Sequence, residues 1–107
     1  MIFKGFHIFI LVIISNHMLA QNTFSGKVSA LDNNLHLAGV EIYNYDGGFI
    51  TKTNSSGSFS FSNNANRIKL VFYLIDYDYR VVTLIANEKS NIYLKPFTID
   101  LNEVTII

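Results

Sequence analysis

After its first 20 residues the sequence predicts an all-β fold, a seven-stranded antiparallel β-sandwich, and three observations carry that prediction. From residue 24 onward apolar side chains recur with a period of two, the mark of strands that bury one face. Clusters such as Asp32-Asn33-Asn34, Asp46-Gly47-Gly48 and Asn54-Ser55-Ser56-Gly57 punctuate the pattern with turn-forming residues, at the roughly 8–12-residue spacing of sandwiches. No stretch in this part sustains a 3.6-residue period.

The elements follow in order. Phe24, Gly26, Val28 and Ala30 alternate with Ser25, Lys27 and Ser29 in a first strand. A second is expected over residues 38–45, with Val40 and Ile42 inward and Glu41 and Tyr43 outward. Asp46-Gly47-Gly48 then signals a hairpin into a third strand over 49–53. Gly57 is the natural φ > 0 position of the next turn. In the following strand, 58–62, Phe59 and Phe61 point one way and three serines the other. The longest strand, 67–75, carries Ile68, Leu70, Phe72 and Leu74 on one face and Lys69, Val71, Tyr73 and Ile75 on the other. A strand apolar on both faces is either central in a sandwich or pressed against a partner. Asp76-Tyr77-Asp78 turns the chain into 79–86, and residues 87–90 turn it into a last strand over 91–95. Pro96, lacking an N–H, stops regular pairing.

Residues 1–20 stand apart. Lys4 precedes seven unbroken apolar residues, Ile8 to Ile14, and then comes the polar Ser15-Asn16-His17. A bilayer span takes about 20 residues, so the run suits the h-region of a secretory signal cleaved after Ala20, with Met18 where a small residue is usual. A buried N-terminal strand or an uncleaved anchor is the alternative. The organisation is therefore a signal peptide over 1–20, a sandwich over 21–96 and an extended tail over 97–107.

Composition narrows the function classes. The 107 residues carry 8 basic and 8 acidic side chains, which argues against nucleic acid as a partner. Absence of cysteine removes disulfides, thiol nucleophiles and Cys-based zinc sites. A 22-stranded barrel would need roughly 200 residues in strands alone. A domain this small buries only about 60–65% of its unfolded surface, so its stability is expected to be modest.

Three strings carry a resemblance: Phe24-Ser25-Gly26-Lys27-Val28, Leu37-Ala38-Gly39-Val40-Glu41-Ile42, and Thr53-Asn54-Ser55-Ser56-Gly57-Ser58-Phe59-Ser60-Phe61. Together they resemble the carboxypeptidase regulatory-like domain, whose usual pattern is G-x-V, then L-x-G-V-x-V, then T-[DN]-x-x-G-x-F. The resemblance covers residues 23–95 and implies a transthyretin-like (prealbumin-like) sandwich. Asp76 stands where that family often has Gly. Gly26, Gly39, Val40, Gly57, Phe59 and Phe61 are the fold-motif positions. Val40, Ile42, Phe59 and Phe61 are expected in the core, and Gly39 is expected to allow close backbone approach at the start of a strand. None of these residues does chemistry.

Beyond Pro96 the chain reads Leu101-Asn102-Glu103-Val104-Thr105-Ile106-Ile107. This is similar to the L-x-E-V-x-V segment that follows such a sandwich in many TonB-dependent outer-membrane receptors, where it acts as, or overlaps, the TonB box. The resemblance implies that Leu101, Glu103, Val104, Thr105 and Ile106 bind the TonB C-terminal domain by strand addition, in which main-chain hydrogen bonds give affinity and alternate side chains set register. It also implies export to the periplasmic side of the outer membrane of a Gram-negative bacterium. A receptor of this class continues into a plug and a barrel, so the chain is expected to be the N-terminal extension of one. The alternative is a free-standing, secreted or surface-associated sandwich, or a tail that is merely a last strand.

Other chemistry finds little support. After residue 20 His36 is the single histidine and there is no Cys, so nothing completes a metal site or triad. Asp76 and Asp78 lack the Gly and distal Glu of an EF-hand loop. Tyr43, Tyr45, Tyr73, Tyr77, Tyr79 and Tyr93 could form a sugar platform or ordinary cross-strand pairs. Asn54-Ser55-Ser56 matches a glycosylation sequon, yet a turn explains it equally. No catalytic residue, cofactor or metal is expected, and the chain is expected not to be an enzyme.

Overall fold

The period-two pattern is realised as seven strands, which a computed structural model describes over residues 21–97. The first 20 residues and the tail positions Leu101, Glu103, Val104, Thr105 and Ile106 lie outside the described residues. The strands are β1 (Asn22–Ala30), β2 (Glu41–Asn44), β3 (Phe49–Lys52), β4 (Ser58–Asn63), β5 (Arg67–Tyr73), β6 (Arg80–Ile85) and β7 (Lys89–Leu94). They form two sheets, one ordered β4-β1-β7 and the other β3-β2-β5-β6. No helix occurs among the described residues.

One expectation about pairing needs correction. Four of the pairs are antiparallel, among them β2 with β3 and β5 with β6, but β1 and β7 run parallel, with Val28 opposite Ile92. The reason is topological. Strand β7 follows β6, which belongs to the other sheet, so no hairpin fixes its direction against β1. Alternation reports which face a strand buries and not which way it runs.

The core lies between the sheets. Phe24 and Val28 from β1, Ile42 from β2, Leu70 and Phe72 from β5 and Leu94 from β7 are fully buried, as is Val40 just before β2. Phe59 is buried, while Phe61 is partly buried and packs on the cluster. Phe61 stacks on Phe24 with centroids 5.4 Å apart, and Phe59 meets Phe72 of the opposite sheet edge-on at 5.5 Å. Such aromatic contacts add about 0.5–1.5 kcal/mol to area burial.

Strand ends fall short of the alternation wherever the backbone turns left-handed. Ala38 and Gly39 form a turn, so β2 begins at Glu41 rather than 38, and Gly39 has φ +74°. A Cβ on Gly39 would meet nothing within 4 Å, so dihedral freedom, not close approach, is what that glycine supplies. The close approach is at Gly26, where an added Cβ would collide with the Ser90 carbonyl oxygen across the β1–β7 ladder. Strand β5 ends at Tyr73 instead of 75 because the chain turns there, with Asp76 at φ +72°. An aspartate tolerates that conformation better than most residues, and it occupies a position that glycine would suit as well.

Thr53 fastens the turn before β2 to the end of β3. Its hydroxyl donates to the Leu37 carbonyl at 2.7 Å and accepts from the Val40 N–H at 2.9 Å. Its own backbone N–H donates to the Val40 carbonyl and its carbonyl accepts from the Gly39 N–H, each at 3.0 Å.

Two stability outcomes follow from these contacts. Gly26→Ala forces β7 off β1 and is expected to cost about 3 kcal/mol, the upper end of overpacking penalties, read as a lowered urea midpoint. Thr53→Val strands a buried N–H and a buried carbonyl and is expected to cost about 1–3 kcal/mol. Thr53→Ser, which keeps the hydroxyl, is expected to lose clearly less in the same titration.

Candidate functional site

The two sheets turn very different outer faces to solvent, and the strand register builds each. On the three-stranded sheet, Ser25 sits between Ser60 and Lys89, and Lys27 between Ser58 and Asn91. These side chains border a cleft of about 260 Å³ whose floor is Gly26 and Phe59. Apart from Tyr93, this face is polar, in keeping with the strict Ser–Phe alternation of β4.

On the four-stranded sheet the outward positions form cross-strand rows. Phe49, Tyr43, Val71 and Val81 make one continuous apolar row spanning all four strands. Lys52, Glu41 and Tyr73 make the row beside it, and Lys69 with Thr83 and Arg67 with Ile85 lie on the other side. Phe49, Tyr73 and Ile85 are 58%, 43% and 47% exposed, well above what an inward position of either sheet shows. A contiguous exposed apolar patch of this kind marks an interaction surface.

Local contacts hold the face in shape. Tyr43 packs edge-on against Phe49 at 5.6 Å, across the bulge that offsets β3 from β2. The Tyr43 hydroxyl donates to Glu41 Oε1 at 2.6 Å. That bond to a carboxylate favours the protonated phenol and raises the Tyr43 pKa above its ordinary value of 10.0. Lys69 Nζ lies 3.9 Å over the centre of the Tyr45 ring, a cation–π contact. Glu41 is the one carboxylate in these rows, set against Lys52, Arg67 and Lys69. The face is thus aromatic and aliphatic at its centre and positive at its margins.

The six tyrosines do not assemble into one platform. Tyr43, Tyr45 and Tyr73 share this face, whereas Tyr77 packs against the core, Tyr79 lies in the segment before β6 and Tyr93 belongs to the three-stranded sheet. Phe49, Val71 and Val81 complete the patch, and sequence reading did not group them with the tyrosines. The two-sided alternation of β5 was the available signal, since it placed Val71 and Tyr73 together on the face away from Ile68, Leu70 and Phe72. His36 lies on an exposed loop with Nδ1 3.2 Å from Ser29 Oγ. Asn54 Oδ1 accepts from the N–H groups of Ser56 and Ser58 and from the Ser56 hydroxyl, so the sequon is built into a turn. Among the described residues no three His, Asp or Glu side chains gather as a metal site would require.

The family model described as the CarboxypepD_reg-like domain matches residues 24–106, and the chain belongs to that family of non-catalytic β-sandwich modules. Two solved structures share the fold. The crystal structure of the shaft pilin SpaA from Lactobacillus rhamnosus GG, an E269A/D295N double mutant, aligns with TM-score 0.56 at 18% identity, over 75% of this chain and 47% of that one. The C-terminal domain of the same shaft pilin aligns with TM-score 0.52 at 17% identity, over 72% of this chain and 98% of that one. No curated protein matches the sequence.

The Tyr43–Glu41 bond has a pH signature. A pKa raised on folding stabilises below the unfolded phenol value, and that contribution is lost as pH climbs through the folded one. In an absorbance titration Tyr43 is therefore expected to ionise above its ordinary value of 10.0. Tyr43→Phe is expected to remove that high-pH component, and an unchanged titration curve would contradict the assignment.

Proposed function

We propose that this chain is the N-terminal periplasmic extension of a TonB-dependent outer-membrane receptor, a non-catalytic sandwich that precedes and presents a TonB-box-like strand. The observation that carries the reading is the order of parts: an apolar leader, a CarboxypepD_reg-like sandwich, then Leu101-Asn102-Glu103-Val104-Thr105-Ile106, with the family match running on to residue 106. Strand addition reads alternate side chains along an extended peptide, and residues 101–107 supply Leu101, Glu103, Val104, Thr105 and Ile106 for it. Transport itself belongs to the plug and barrel of such a receptor, and the ligand would be chosen there.

A second reading is a free-standing secreted or surface module. Its support is the likeness to the C-terminal domain of a shaft pilin, nearly all of which the sandwich matches in fold. The two readings part at the tail.

Binding of residues 21–107 to a purified TonB C-terminal domain, followed by calorimetry, separates them. The receptor reading expects saturable binding that disappears when residues 101–107 are deleted. Val104→Pro, which removes one ladder N–H, is expected to weaken it about tenfold, or 1.4 kcal/mol. Equal binding by the tailless chain would remove the basis for the reading.

A further inference from the structure

The outer face of the four-stranded sheet has an occupant that this chain itself can supply. We propose that residues 98–107 dock across the row of Val71 and Val81 and the adjoining Tyr73 on their own sandwich, so that the domain stores the strand it presents. The inference rests on the reading of residues 101–107 as a partner-binding strand, and it adds where that strand lies when no partner holds it.

Charge, chemistry and reach all favour this occupant. The segment Thr98-Ile99-Asp100-Leu101-Asn102-Glu103-Val104-Thr105-Ile106-Ile107 contains two carboxylates and no basic residue, interleaved with large aliphatic side chains. The face is apolar with Arg67 and Lys69 at its margin, and its one carboxylate, Glu41, already accepts the Tyr43 hydroxyl. The complement of an apolar row with a positive border is an apolar strand with acidic residues, which is what the segment is. The chain also leaves the fold beside this sheet. Pro96 bridges to Tyr77, and the Phe97 N–H donates to the Asp76 carbonyl at 2.7 Å, at the connection from β5 to β6. Ten extended residues reach about 33 Å, against about 14 Å across four strands. Attachment at that corner also gives the segment a millimolar effective concentration, so weak contacts suffice to hold it.

Docked there, the segment's apolar side chains are covered by Val71, Tyr73 and Val81 and withheld from strand addition elsewhere. A partner must then compete with the face, and changing the face alters affinity without touching the strand.

The absence of cysteine makes the test direct. Asn102→Cys in residues 21–107 carries a single nitroxide, and amide broadening is read on both outer faces by nuclear magnetic resonance. Strong broadening at Val71, Tyr73 and Val81, with Ser25, Ser60 and Asn91 unaffected, is the expected result. Broadening of both faces alike, or of neither, would overturn the proposal. A mixture of isotope-labelled chains without nitroxide and unlabelled chains with it should show no broadening; if it does, a second copy is the occupant and the proposal fails. Val71→Glu, at a half-exposed position that leaves the core intact, is expected to abolish the broadening and to tighten TonB-domain binding several-fold. Binding to the TonB domain without broadening would sink this inference alone, whereas broadening without such binding would sink the receptor reading and leave the docking in place.

Discussion

At Gly26 the backbones of β1 and β7 approach so closely that any side chain there would strike the Ser90 carbonyl. Much of the structure depends on that contact. It lets β7 lie parallel along β1 in the register that turns Ile92 and Leu94 into the core opposite Val28 and Ala30. Just past the end of β7, Lys95, Pro96 and Phe97 run against Asp78, Tyr77 and Asp76 at the margin of the other sheet. One glycine thus permits the closure of the smaller sheet.

Thr53 plays the corresponding part on the other side. Four hydrogen bonds from one residue hold the 37–40 turn to the end of β3 and satisfy backbone groups that the sandwich buries. With no disulfide available, such buried bonds and the Phe24, Phe61, Phe59 and Phe72 contacts supply the specificity of a small core.

The difference between the two outer faces is where fold passes into function. A sandwich solvated on both sides would present polar residues on both, as β4 does with Ser58, Ser60 and Ser62. Strands β2, β5 and β6 instead present Tyr43, Val71, Tyr73 and Val81, and keeping these in water carries a standing cost that a binding partner removes. Membership of the CarboxypepD_reg-like family and a fold shared with a pilin domain say nothing about partners.

The all-β class, the seven strands, their inward residues and the family were legible in the sequence, because alternation and turn chemistry are local properties that each segment carries by itself. Val40, Ile42, Phe59 and Phe61 were assigned to the interior on that ground alone; the first three are buried and Phe61 is partly so. Which strand lies beside which, and in what direction, was not legible: the parallel β1–β7 pair joins residues more than sixty positions apart, and no local pattern encodes its direction. For the same reason the sequence showed that β5 is apolar on both faces but not that Phe49, Tyr43, Val71 and Val81 fall in one row. It grouped Tyr77 and Tyr93 with Tyr43, although packing sends one toward the core and the other to the opposite sheet. A strand's own residues determine what it buries, while neighbours and register, set only when distant segments meet, determine the surface it helps to make.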